Sequence, residues 1–249
     1  MTKTITVNYP GGSYGNFLVA FLSKSFNEDS WRSPLLDHHQ YDQPKQINFI
    51  KTHHNVSDSD QFNIKITYDI DDIDLIFRLK CYKTPWDTEN NIKDIHTRYK
   101  DLNDTTKKIV SCCWYKVELK KNLISWNSVT PNTLQIPFKY FFLPIDEYVK
   151  IWLEIFKVLE IECNDSYLKD TYKKFQSRQS TFINDLDFYL KATWYDKDWI
   201  ARSSVIANII IEKSKDNANI DLGQYGFISD ILISWVYKLD SSNGDINTL

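Results

Sequence analysis

Three of the six glycines in this 249-residue chain, Gly11, Gly12 and Gly15, fall within five positions. They sit in the stretch Tyr9-Pro10-Gly11-Gly12-Ser13-Tyr14-Gly15-Asn16-Phe17-Leu18. Before it, Thr4-Ile5-Thr6-Val7-Asn8 has the β-branched composition of a short strand. After it, Phe17, Leu18, Phe21 and Leu22 recur at helical spacing. The chain therefore opens strand, glycine-rich turn, helix. Glycines let a backbone approach an anion closely, and a helix N-terminus directs N–H groups and about half a positive charge outward. The turn is read as a phosphate-binding loop, with the rest of the chain built around it. A tight strand-to-helix turn also needs glycines for its own geometry. The Walker pattern G-x-x-x-x-G-K-[ST] is not met, because Asn16 stands where its lysine would follow Gly15.

The length fits one large domain, or a core with an added subdomain. At 42% apolar residues the chain can bury a real core, and a net charge of −3 argues against a broad electrostatic grip on nucleic acid. The four cysteines, Cys81, Cys112, Cys113 and Cys163, form no C-x-x-C pair, so no zinc site is expected. Cys112 and Cys113 lie in an apolar stretch and read as small buried side chains in a reducing compartment. The N-terminus lacks the apolar core of a signal peptide, and no apolar run is long enough to span a membrane. The expectation is a cytoplasmic protein with no membrane partner.

Along the chain, Asn27 to Gln46 reads as a polar loop, with prolines at 34 and 44 and the pair His38-His39. Ile47 to Thr52 alternates like a strand and runs into Lys51-Thr52-His53-His54. Phe62 to Tyr68 alternates with period two, a second strand. Asp69 to Asp74 is acidic and reads as a solvated turn; it lacks the glycine and terminal glutamate of a calcium loop. The continuous apolar run Asp74-Leu75-Ile76-Phe77-Arg78-Leu79 has the look of a buried parallel strand. Thr88 to Leu102 is a helix expectation, while Lys108 to Leu119 fits either helix or strand. Leu134 to Phe138 is a short strand. Tyr148, Ile151, Trp152, Ile155, Phe156 and Leu159 form an amphipathic stripe opened by Pro144. Ile228, Ile231, Leu232, Trp235, Val236 and Leu239 form another. The final ten residues, Asp240 to Leu249, are polar and expected to fray. Strands set among helices give an α/β class: a mainly parallel central sheet flanked by helices, with a helix-rich C-terminal third. Ligands of such sheets bind at the carboxyl ends of the strands.

Four features then line up in order: the turn after Pro10, the Ile50-Lys51-Thr52-His53 strand end, the run ending in Arg78, and Ile136-Pro137-Phe138-Lys139-Tyr140 before the helix ending at Ile161. In order and spacing this resembles the sulfotransferase family, which uses 3′-phosphoadenosine 5′-phosphosulfate (PAPS) as donor. It is also similar to divergent sulfotransferase-like proteins of marine phages, in which case the compartment would be the host cytoplasm. The likeness covers roughly residues 4 to 162 and implies a P-loop-NTPase-like architecture in a single domain, 1–249. Within it, 1–162 would be the nucleotide-binding core and 163–249 a helical C-terminal part. The resemblance also implies that Gly11, Gly12, Ser13, Tyr14, Gly15 and Asn16 hold the 5′-phosphosulfate. Arg78 would bind the 3′-phosphate, and His53 would be the general base. Three departures stand out. The family's loop lysine is Gly11 here. Its serine after the strand arginine falls at Trp86, with Thr84 close but displaced. Its late R-K-G element has only Arg178 as a stand-in.

Sulfuryl transfer, like phosphoryl transfer, rests mostly on positioning and electrostatic stabilisation. Backbone N–H groups, the Ser13 hydroxyl and a cation from Lys51 or Lys80 would supply it without a metal. The unperturbed titration of histidine suits His53 as a base toward an acceptor hydroxyl or amine. The expected function is therefore sulfuryl transfer from PAPS to a small molecule or glycan. A non-catalytic sulfotransferase-like binding or structural protein is one alternative, and a P-loop nucleotide kinase is the other. No nucleic-acid partner is expected.

Overall fold

The computed structural model describes residues 3–24, 47–52, 62–77, 100–184, 197–215, 222, 229–245 and 247. It divides into two compact units, each made of two stretches of chain: 1–72 with 126–187, and 73–125 with 188–249.

The first unit holds an α/β sheet. Strands β1 (Lys3–Asn8), β2 (Ile47–Thr52), β3 (Phe62–Thr67) and β4 (Thr133–Pro137) are all parallel, in the order β2-β1-β3-β4. The register pairs Val7 with Lys51 and with Ile64, and Ile66 with Ile136. Side chains alternate along a strand, so Ile5, Val7, Phe49, Ile64, Ile66 and Ile136 share one apolar face. All six are 4% exposed or less. Helix α1 (Gly15–Leu22) buries almost every residue. Its Phe17 and Phe21 meet Phe141, Trp152, Phe156, Tyr167 and Phe175 at ring-centroid distances from 4.7 to 5.8 Å.

Those rings come from the 3₁₀ turn Phe138–Phe142, helix α3 (Ile145–Val158) and helix α4 (Asp165–Asn184). The apolar stripe read from sequence is the face that α3 buries, through Tyr148, Trp152, Ile155 and Phe156. α3 ends with Glu160 in the left-handed region at φ 60°, and Ile161 N–H donates to the Phe156 carbonyl at 2.9 Å. That is the geometry of a Schellman cap, with glutamate where glycine is usual.

The second unit is helical among its described residues. It contains most of helix α2 (Asp104–Trp126), with α5 (Lys197–Lys215) and α6 (Asp230–Ser241). α2 settles the ambiguous stretch 108–119 as helix. Ile109, Val110, Cys113 and Val117 are buried at helical spacing. The Cys113 thiol donates to the Ser203 carbonyl at 3.2 Å, and Lys116 Nζ donates to Ser204 Oγ at 2.8 Å while pairing with Asp74. Ser229 caps α6, accepting from Leu232 N–H at 3.2 Å.

One expectation is overturned. The run from Asp74 to Leu79 is not a strand in its described part: residues 70–72 form a 3₁₀ turn and 73–77 are α-helical. A short continuous apolar run fits a buried helical turn as well as a buried strand. Here the 3₁₀ turn after β3 starts the chain coiling, and among the described residues 73–77 Ile73, Ile76 and Phe77 are buried, a helical rather than alternating spacing. The helix expected over 88–102 falls largely outside the described residues. No helix among the described residues is long and apolar enough to cross a membrane.

Candidate functional site

The glycine turn leaves the carboxyl end of β1, a central strand. β2 lies on one side of β1 and β3 on the other, so the connections diverge at this edge. That is the topological switch point where open parallel sheets bind ligands. Tyr9 N–H donates to the Thr52 carbonyl at 3.1 Å, which fastens the start of the turn to the end of β2.

Within the turn, Ser13 N–H donates to the Pro10 carbonyl at 3.1 Å, and Gly12 has φ 83°. A positive φ at the third residue of such a turn is the type II arrangement, which favours glycine. Ser13 Oγ also donates to the Pro10 carbonyl, at 2.6 Å, and Ser13 is fully buried. Its hydroxyl proton is therefore committed inside the turn, not offered to an anion as expected. Tyr14 is the N-cap of α1, at φ 62° and with no side-chain cap bond. Its ring is packed against Phe138, Phe142 and Phe175, at 5.3 to 5.9 Å. Tyr14 can thus offer a ligand only its backbone, and the aromatic packing holds the left-handed residue in place.

Gly15 has a structural reason of its own. A β-carbon there would overlap the ring of Tyr9, whose hydroxyl donates to Asn16 Oδ1 at 3.1 Å. Gly11, Gly12 and Asn16 are the partly exposed members of the turn.

Lys51 lies on β2, paired in register with Val7 and half-buried. Burial pushes its ammonium below the ordinary lysine range. It is two residues along β2 from the buried Phe49 and shares that face of the sheet. His53 is the next residue in sequence after Thr52, and with Arg78, Lys80, Thr84 and Trp86 it lies outside the described residues. The side chain of Arg178 does so too. The described residues immediately before Arg78, 73–77, are helical. Among the described residues no group of three or more His, Cys, Asp or Glu side chains converges as a metal site.

The structure brings forward two residues that the sequence did not mark. Asn8, the last residue of β1, is fully buried and donates from Nδ2 to the Ile64 carbonyl at 3.4 Å. Lys65, its register partner on β3, is 1% exposed and donates from Nζ to the Ser128 carbonyl at 3.2 Å. Burial lowers the pKa of this ammonium as well. The one sequence signal was a lysine at a polar position of an alternating strand, which ordinarily means solvent.

Comparison with family models, with curated proteins and with solved structures gives no match for this chain.

Proposed function

We propose that the protein binds an anionic nucleotide over the glycine turn and acts as a PAPS-dependent sulfotransferase on a hydroxyl or amine of a small molecule or glycan. The observation that carries this reading is the place of the turn. It joins a central parallel strand to a helix N-terminus at the switch point of the sheet. Backbone N–H groups of Gly12, Tyr14, Gly15 and Asn16 would cradle the anion, as helix N-termini behind glycine turns do, while the Ser13 N–H stays bonded to the Pro10 carbonyl. His53, one residue beyond the end of β2, would take the acceptor proton.

A specific observation favours a second reading, a non-catalytic binding protein on the same fold. Gly15 is required by Tyr9, and the Ser13 hydroxyl is spent on Pro10, so much of the turn has a purely internal purpose.

Thermal unfolding with adenosine 3′,5′-bisphosphate, ATP, and ATP with magnesium discriminates among these readings. A single-site ligand at 100 times its Kd stabilises the native state by about 2.7 kcal/mol. Stabilisation by the 3′,5′-bisphosphate, followed by sulfuryl transfer from PAPS in an acceptor screen, supports the sulfotransferase. Stabilisation without transfer to any acceptor supports the binding protein. A response only to ATP with magnesium replaces both with a nucleotide kinase.

A further inference from the structure

The sheet has a second face, which is polar yet buried along its two central strands. β1 and β3 turn Thr6, Asn8, Asn63, Lys65 and Thr67 to this side, and none is more than 9% exposed. A period-two strand normally gives its polar residues to water. Here the whole of 63–67 is buried. Polar groups taken out of water cost free energy unless they find partners, and a lysine costs most.

Lys65 is the charged member, and it is 1% exposed. An ammonium has three donors. Among the described residues the hydrogen bond of Nζ is to the Ser128 carbonyl, and no carboxylate pairs with it. That carbonyl does not depend on Lys65, because Gln135 Nε2 also reaches it at 3.4 Å. Lys65 stands beside Asn8, the residue from which the glycine turn departs, across the β1–β3 seam. Of the other lysines placed by this part of the fold, Lys51 lies on the opposite, apolar face. Lys139 is exposed and pairs with Asp69 at 3.9 Å.

We propose that Lys65 is the cation of the anion site at the switch point, meeting a phosphate or sulfate oxyanion in place of the loop lysine that Gly11 replaces. This assignment rests on the anion-binding reading of the glycine turn. An oxyanion at Nζ supplies the charge partner that burial otherwise denies the ammonium. Asn8 and Gln135 flank Lys65 in register on either side.

The test is thermal unfolding of the wild type, Lys65→Met and Lys51→Met, titrated with adenosine 3′,5′-bisphosphate and with inorganic phosphate at constant ionic strength. Losing a hydrogen bond to a charged group weakens binding about tenfold or more. Lys65→Met is expected to lose at least that much affinity for both probes. Lys51→Met is expected to lose less. Equal affinities in the wild type and Lys65→Met overturn the assignment and leave the glycine-turn reading standing. A wild type that responds to neither probe overturns both. Should Lys65→Met fail to fold, the wild-type Lys65 side-chain NMR signal decides. It shifts on adding the bisphosphate if the assignment holds. If it stays fixed while the ligand binds, or if no ligand binds, the assignment is wrong.

Discussion

The ring of Tyr9 covers the α-carbon of Gly15, so the residue that closes the glycine turn cannot carry a side chain. The two are joined a second time through the Tyr9 hydroxyl, which donates to Asn16 at 3.1 Å. Gly15→Ala is expected to destabilise the protein by about 2 kcal/mol, the middle of the range for forced overpacking. Tyr9→Ala in the same chain should remove the overlap. The double variant is then expected to be more stable than the sum of the two single losses. Urea unfolding of the four proteins measures the coupling, and strict additivity would show that the ring does not oppose the β-carbon.

Glu160 closes α3 in the left-handed region at φ 60°. A side chain there costs roughly 1–2 kcal/mol relative to glycine. Glu160→Gly is expected to raise stability by about 1 kcal/mol, since glycine gives part of that gain back through the unfolded chain. A lower melting temperature would count against the cap.

Burial lowers the pKa of Lys65, so the unfolded chain holds that proton more tightly than the native one. Stability therefore rises with pH as the ordinary lysine range near 10.4 is approached from below. Lys51 has the same sign, so the comparison must isolate one residue. The wild type is expected to gain on Lys65→Met as pH rises toward the ordinary lysine range in denaturant titrations. Parallel pH profiles would mean that Lys65 is hydrated.

Cys113 is fully buried, and desolvation, with the nearby Cys112 next in weight, pushes its thiol well up. Cys112 is 3% exposed, whereas Cys163 is half-buried. A thiol reagent is expected to modify Cys163 in the native protein and to reach Cys112 and Cys113 only on unfolding. Mass spectrometry of labelled peptides reads the order directly.

What the sequence showed and what it hid follow from how local each signal is. The strand–turn–helix opening, the strand 47–52 and the stripe along α3 are periodic over a few residues, and each forms where the periodicity places it. Residues 74–79 are too few to separate a strand from a helical turn, whereas the longer alternation from Phe62 to Tyr68 forms its strand over 62–67. Lys65 was hidden for another reason. Alternation says which residues share a face, but only the packed fold decides whether the polar face meets water. The pairing of Lys65 with Asn8 is likewise a matter of register between strands more than fifty residues apart in sequence, and no local pattern carries it.

The most direct measurement is an amide NMR titration of the wild-type protein with adenosine 3′,5′-bisphosphate. If the glycine turn is the anion site, the amide signals of Gly12 to Asn16 shift first and saturate together, with ATP binding more weakly. Saturable shifts confined to other parts of the chain, or none at all, would contradict the anion site and leave the turn as a packing device around Tyr9.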